Sequence, residues 1–499
     1  MTGSAFDGIP LAELRDRALG RAEALGADHA EVRVERIRTQ YVGLRDGAVE
    51  TAVDDVTLGM GLRVVHRGAL GFAATFAADG AAAAALADEA VALAELTRPA
   101  LAVPVELAPE PVYGPVTWSS PYDVDPSTVA LADKVGLLGD WSEQLAAAAG
   151  VDHVAASVHA VVEDKHYADL AGTVTTQRRV RIHPVVEIVA VDAAGGFESM
   201  RSLAPPAGRG WEYLTGTGWD WTGELAELPE LLAAKVAAPS VEAGPTDLVI
   251  DPSNLWLTIH ESIGHATELD RALGYEAAYA GTSFATPDKL GTLRYGSPVM
   301  QVTGDRTAPH GLASVGYDDE GVAGQAFDIV RDGVLVGYQL DRRMAAEHGL
   351  GRSNGCAFAD SPLHVPIQRM ANVSLQPAPG EGPTTEELIA GVDRGIYVVG
   401  DKSWSIDMQR YNFQFTGQRF YRIERGLLAG QVRDVAYQAQ TTEFWGALEA
   451  VGGATTYVLG GAFNCGKGQP GQVAPVSHGC PSVLVRGINV LNARAEAGA

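Results

Sequence analysis

Apolar positions recur at helical spacing at the start of the chain and at alternate positions soon after. Leu11, Leu14, Ala18, Ala22 and Leu25 define an amphipathic helix that Gly26 can end. Alternation then predicts strands over 29–37, 39–45 and 48–54, the last two flanking the hairpin signal Asp46-Gly47. Two more, 57–66 and 70–76, flank His66-Arg67-Gly68. An Ala-rich helix is expected over 79–97 and, after a Pro- and Tyr-rich connection, another over 127–149. Runs rich in Val and Thr at 151–163, 168–180 and 183–200 read as strands. A Gly- and Trp-rich irregular lobe follows at 203–222, then a short helix at 223–237.

The texture changes after Pro239-Ser-Val-Glu-Ala-Gly-Pro245. Asp247–Asp251 reads as a short buried strand, and Pro252-Ser253 can open a helix. Beyond 280 the pattern is mainly strands broken by Gly turns, at 299–303, 326–330, 334–340, 371–376, 394–398, 404–408, 411–424, 455–460 and 482–490. Helices are expected only at 341–347, 385–393 and 440–451. The fold class predicted is α+β. A mixed N-terminal domain, 1–238, precedes a β-rich, barrel- or sandwich-like domain, 246–499, that carries the helix opened by Pro252.

Composition narrows the function. The 37 Lys+Arg against 62 Asp+Glu give a net charge of −25, which argues against a nucleic-acid or anionic-membrane surface. Three cysteines in 499 residues make no disulfide framework and suit a reducing compartment. Met1–Pro10 has no basic stretch followed by an apolar run, so no signal peptide is expected, and the Ala-rich run at 81–87 is too short to span a bilayer. A cytoplasmic location is expected. Walker loops, Gly-x-Ser-x-Gly and Cys-x-x-Cys are absent.

The densest chemistry is His260-Glu261-Ser-Ile-Gly-His265. Zinc hydrolases space two histidines at i and i+4, where both reach one metal. Here they stand at i and i+5, about 140° apart on a regular helix. A metal site therefore requires a widened turn, such as a π-bulge, and Gly264 would ease it. Spacing alone leaves metal site and coincidence both open. For a third ligand the choices are another histidine, Glu268 or a cysteine. Cys465, in the Gly-dense stretch Gly460–Gly471 that reads as a loop, has Lys467 nearby to lower its thiol pKa. Cys356 and Cys480 read as small buried apolar residues, although His478 and Cys480 could pair on a metal. Asp318-Asp319-Glu320 reads first as a solvated turn and second as a cleft lining. Arg342, Arg343, Arg352 and His348 could bind a substrate carboxylate or form a charged surface.

Together these segments resemble the TldD/PmbA family, named for modulation of DNA gyrase and viewed as metallopeptidases. The resemblance rests on His260–Glu268, Ser314–Gly321, Val330–Tyr338, Gly395-Ile-Tyr397, Asn464–Val476 and Gly59–Ala73, and so spans nearly the whole chain. It implies a zinc site formed by His260, His265 and Cys465, with Glu261 as catalytic acid/base. It also implies a dimer enclosing a chamber for small or unfolded peptides, either a homodimer or a heterodimer with a TldE/PmbA-type subunit that lacks the motif. The intact motif matches the TldD type. Two other roles are compatible with it: a non-catalytic assembly subunit acting through a partner, and an amide hydrolase acting on a small natural product. The chain departs from the family pattern at Gly468–Gly471 and at His478-Gly-Cys480-Pro.

Overall fold

Four strands of 17 to 19 residues, roughly 55 Å each, dominate the first half of the chain. The computed structural model describes residues 6–191 and 196–496. Its first sheet runs in the order Ala69–Thr75, Ala48–His66, His29–Arg45, His153–Asp169, Val174–Val191 and Val116–Ser119, and Phe197–Arg201 also pairs with Val174–Val191. One face is apolar and long enough for two separate helix pairs. Leu11–Ala24 and Gly80–Thr97 cover Val32, Val34, Leu62 and Val64. Leu131–Ala146 and Trp221–Ala237 cover Val42, Leu44, Val154 and Ile188.

The opposite face corrects the expected strand breaks. The runs 29–37 and 39–45 are one strand, as are 48–54 and 57–66. Residues 164–167, left between the expected strands 151–163 and 168–180, lie inside His153–Asp169, where Glu163-Asp164-Lys165-His166 forms a charged run. Its charges are buried, Lys165 against the second half of the chain and Glu163 within the sheet. Lys165 pairs with Asp319 at 2.8 Å, Arg63 with Glu320 at 2.7 Å, and Glu163 with Arg179 at 2.8 Å. Asp318-Asp319-Glu320 is thus not the solvated turn expected first. It is a buried bridge between the two halves, with Asp318 accepting the backbone N–H of Glu320, Val322 and Ala357. The end of the predicted 183–200 strand includes 192–195, which lie outside the described residues.

The second half contains a closed five-stranded barrel. Arg394–Ile406, Gly244–Ile250, Val483–Asn492, Val435–Gln440 and Asn412–Glu424 pair in that order, and the last pairs back to the first. The expected 394–398 and 404–408 strands are one strand with an irregularity between Asp401 and Trp404. Leu427–Val432, Val435–Gln440 and Gln472–Cys480 are strands that periodicity did not reveal, and the 440–451 helix ends at Gly446 before a strand at Leu448–Val451. A smaller sheet orders Val334–Leu335, Ala326–Arg331, Val302–Asp305 and Asn372–Leu375.

The helix Pro252–Ile259 leaves the barrel strand Gly244–Ile250 directly. Asp251 caps it by accepting the N–H of Ser253 at 2.9 Å, and Pro252 occupies the first turn. Asn254 locks it to the barrel, donating to the carbonyls of Gly400 and Thr416, both at 2.9 Å, while Tyr437 donates to its Oδ1. Among the described residues, no helix is long and apolar enough to cross a membrane.

Candidate metal centre

The helix widens where the spacing requires. His260–Gly264 is a π-turn, and the backbone N–H of His265 donates to the carbonyl of His260, five residues back. The rings of His260 and His265 meet edge to face with centroids 4.7 Å apart. Such a turn disturbs the regular ladder of carbonyls, and side chains take up three of them. Tyr295 donates to the Ser262 carbonyl at 2.5 Å, Gln339 to Gly264 at 2.7 Å and Thr267 to Ile263 at 2.8 Å. Gly264 itself has φ −52° and ψ −61°, ordinary helical values. Its lack of a side chain therefore answers to space rather than to conformational freedom. A Cβ there would lie 2.6 Å from the Met370 sulfur.

Cys465 comes from a hairpin, Val458–Lys467 paired with Gln472–Cys480, not from a loop. The glycines before it allow close packing on the motif helix: a Cβ at Gly460 would fall 2.5 Å from the Trp256 ring. The register slips between Ala462 and Cys465. Phe463, within that irregularity, packs on His159 and His183 of the first sheet, so both halves of the chain brace this strand.

The donor atoms of His260, His265 and Cys465 all lie within 4.8 Å of one another, and the Cys465 Sγ is 3.6 Å from His265 Nε2. All three residues are buried. Two imidazole nitrogens and one sulfur are a donor set suited to zinc. Both rings are held from behind. His265 Nδ1 meets Glu268 Oε2 at 2.8 Å, and His260 Nδ1 meets His478 Nε2 at 2.7 Å. In each case Nε2 is left for a metal.

The surroundings favour ligand chemistry. Burial pushes His260 below its ordinary pKa. Burial raises the Cys465 thiol, but the His265 and Arg369 charges outweigh it and leave the thiol below its usual range. Lys467, expected to do this, does not. Its ammonium is taken by Asp270 at 2.7 Å and Glu268 at 3.0 Å. Glu268, one of the alternatives for third ligand, instead orients His265. Burial raises Glu261, and the charges of His260, His265 and Arg410 bring it below the usual carboxylate range.

The other sequence expectations resolve as follows. Cys356 and Cys480 are fully buried, and burial raises both thiols, Cys356 to about 12. His478 and Cys480 do not pair: the Cys480 Sγ lies against the Pro252 carbonyl at 3.7 Å. Arg343 and Arg352 form ion pairs with Glu347 and Glu110, and Arg342 donates to the Ala108 carbonyl, so these arginines belong to the charged surface reading. Arg410, which reaches Glu261 from 149 residues away, carries no signal in the sequence.

Comparison with known proteins identifies relatives along most of the chain. A metalloprotease of Methanothermobacter thermautotrophicus is 28% identical over 473 residues, covering 92% of this chain and 94% of its own. A protein of Saccharolobus solfataricus named zinc metalloprotease TldD homolog is 27% identical over 267 residues, covering 53% of this chain and 56% of its own. Two crystal structures share the fold. One, from Thermotoga maritima and described as a modulator of a DNA gyrase, has a TM-score of 0.76 and 17% identity, covering 96% of this chain and 100% of that one. The other, TldE from Thermococcus kodakarensis, has a TM-score of 0.69 and 16% identity, covering 96% and 99%. The model of the PmbA/TldA metallopeptidase C-terminal domain matches residues 243–492, half of the chain, and that of the PmbA/TldA metallopeptidase domain 1 matches 30–94. The chain belongs to the PmbA/TldD family of metallopeptidases.

Proposed function

We propose that this chain is a zinc-dependent peptidase of the TldD type, built from domains 1–238 and 246–499. It holds the metal by His260, His265 and Cys465 and cleaves small or unfolded peptides in the cytoplasm. The observation that carries the reading is the convergence of two nitrogens and a sulfur within 4.8 Å at a π-turn. Bound zinc would supply Lewis acidity, polarising a scissile carbonyl and acidifying a water molecule. Glu261 does the proton work. Arg410 anchors its Oε2 at 2.5 Å, so Oε1 takes the proton from the attacking water and delivers it to the leaving amine. The Cys465 hairpin forms a separate two-stranded sheet, and an extended peptide can add along its edge, held by backbone hydrogen bonds.

The active form in this reading is a dimer whose chamber excludes folded proteins, either with a second copy or with a TldE/PmbA-type subunit. The TldE-like fold of the chain is compatible with such pairing. The deciding experiment is Glu261→Gln, assayed on unstructured peptides and for bound zinc. Turnover should vanish while zinc stays. Native turnover in that variant would overturn the mechanism. Zinc without hydrolysis in the native chain, even with a partner subunit present, would favour an assembly role instead.

A further inference from the structure

The residue behind His260 fixes more than its position. His478 lies on the strand Gln472–Cys480 and is fully buried. Its Nδ1 is 2.7 Å from the Val373 carbonyl oxygen, and its Nε2 is 2.7 Å from His260 Nδ1. A carbonyl oxygen only accepts, so His478 Nδ1 carries the hydrogen and donates. An imidazolium here would be a buried charge, and among the described residues no carboxylate pairs with His478. The ring is therefore neutral, and its Nε2 is an acceptor. His260 Nδ1 must then donate, which leaves the lone pair of His260 on Nε2.

We propose that His478 is a positioning residue that locks the tautomer of His260, through a relay from the Val373 carbonyl, so that Nε2 is presented to the metal. The assignment rests on the reading of His260 as a ligand. The relay is rigid. The His478 ring lies nearly parallel to Trp256, with an interplanar angle of 10°, and a Cβ on Gly264 would lie 3.4 Å from its Cε1. The two histidines are thus backed by different chemistry: a carboxylate, Glu268, behind His265, and a neutral ring behind His260.

The test measures zinc affinity by chelator competition and reads histidine tautomers by nitrogen NMR in the metal-free protein. His478→Phe keeps a ring but leaves His260 Nδ1–H without an acceptor. It should weaken zinc binding roughly 10- to 100-fold. His478→Gln restores an acceptor at the position of Nε2 and should recover most of that loss, which a purely packing role would not allow. In the native protein His260 should show the hydrogen on Nδ1. A hydrogen on Nε2 overturns the lock, and so does native affinity in His478→Phe when His260→Ala has lost zinc. If His260→Ala binds zinc as the native chain does, the ligand reading fails instead. The NMR result still decides the tautomer, whether or not the Phe variant folds.

Discussion

Arg410 donates to Glu261 Oε2 across 2.5 Å, joining a barrel turn to the π-turn that carries the two histidines. The turn that presents Arg410 is itself built for the purpose. Asp407 accepts the backbone N–H groups of Gln409, Tyr411 and Asn412, and Arg410 adopts φ +63°. Removing the guanidinium leaves a buried carboxylate without its charged partner. A hydrogen bond to a charged group is worth about 1.5–3 kcal/mol. Arg410→Ala should therefore lower kcat/KM by ~10- to 100-fold, at about 1.4 kcal/mol per decade. Zinc content should not change. An unchanged rate on unstructured peptides would show that Glu261 needs no anchor.

Cys465 supplies the sulfur of the cluster, whereas Cys356 and Cys480 lie elsewhere in the core. Cys465→Ala should lose zinc on dialysis, while Cys356→Ala and Cys480→Ala should retain it. Elemental analysis of the three variants checks this. Full zinc in Cys465→Ala would assign the third ligand to another residue.

Gly264→Ala places a methyl 2.6 Å from the Met370 sulfur, in a buried setting where Met370 is 1% exposed. Overpacking of this kind costs about 1–3 kcal/mol. Urea unfolding should show that loss, and Met370→Ala in the same chain should return part of it through coupling between touching residues. Strictly additive effects would mean that the two side chains do not compete for space.

Burial, reinforced by the nearby Glu320 charge, pushes the Asp341 carboxyl from its ordinary 3.8 up to about 7. Between these values the folded chain keeps a proton that the unfolded chain releases. Its contribution to stability is full below the ordinary value and is lost as pH rises through about 7. Asp341→Asn should flatten this decline while keeping an oxygen to accept the Met344 N–H. Denaturation midpoints on either side of that range measure it. An equal decline in the variant would place the titration on another group.

The π-turn was legible because i and i+5 can serve one site only on a widened helix, and the first sheet because Val32, Val34 and Val42, Leu44 alternate cleanly. What stayed hidden depends on partners far along the chain. Lys165 sits in mid-strand only because Asp319, 154 residues later, receives its charge. Arg410 and His478 become part of the site only when the barrel turn and the hairpin close on the motif helix. The Gly460–Gly471 stretch looked like a loop throughout because Gly460 and Gly461 answer to Trp256 and Val476, and only its end, 468–471, is a turn.

Cys465 follows His265 by 200 residues, and that separation sets when the centre can exist at all. At about 5–20 residues per second, a ribosome needs roughly 10–40 s to pass from one donor to the other. During that interval the nascent chain exposes its two histidines without the thiolate that completes the set. On the proposed function, the chain would thereby stay inactive until its own synthesis is nearly done.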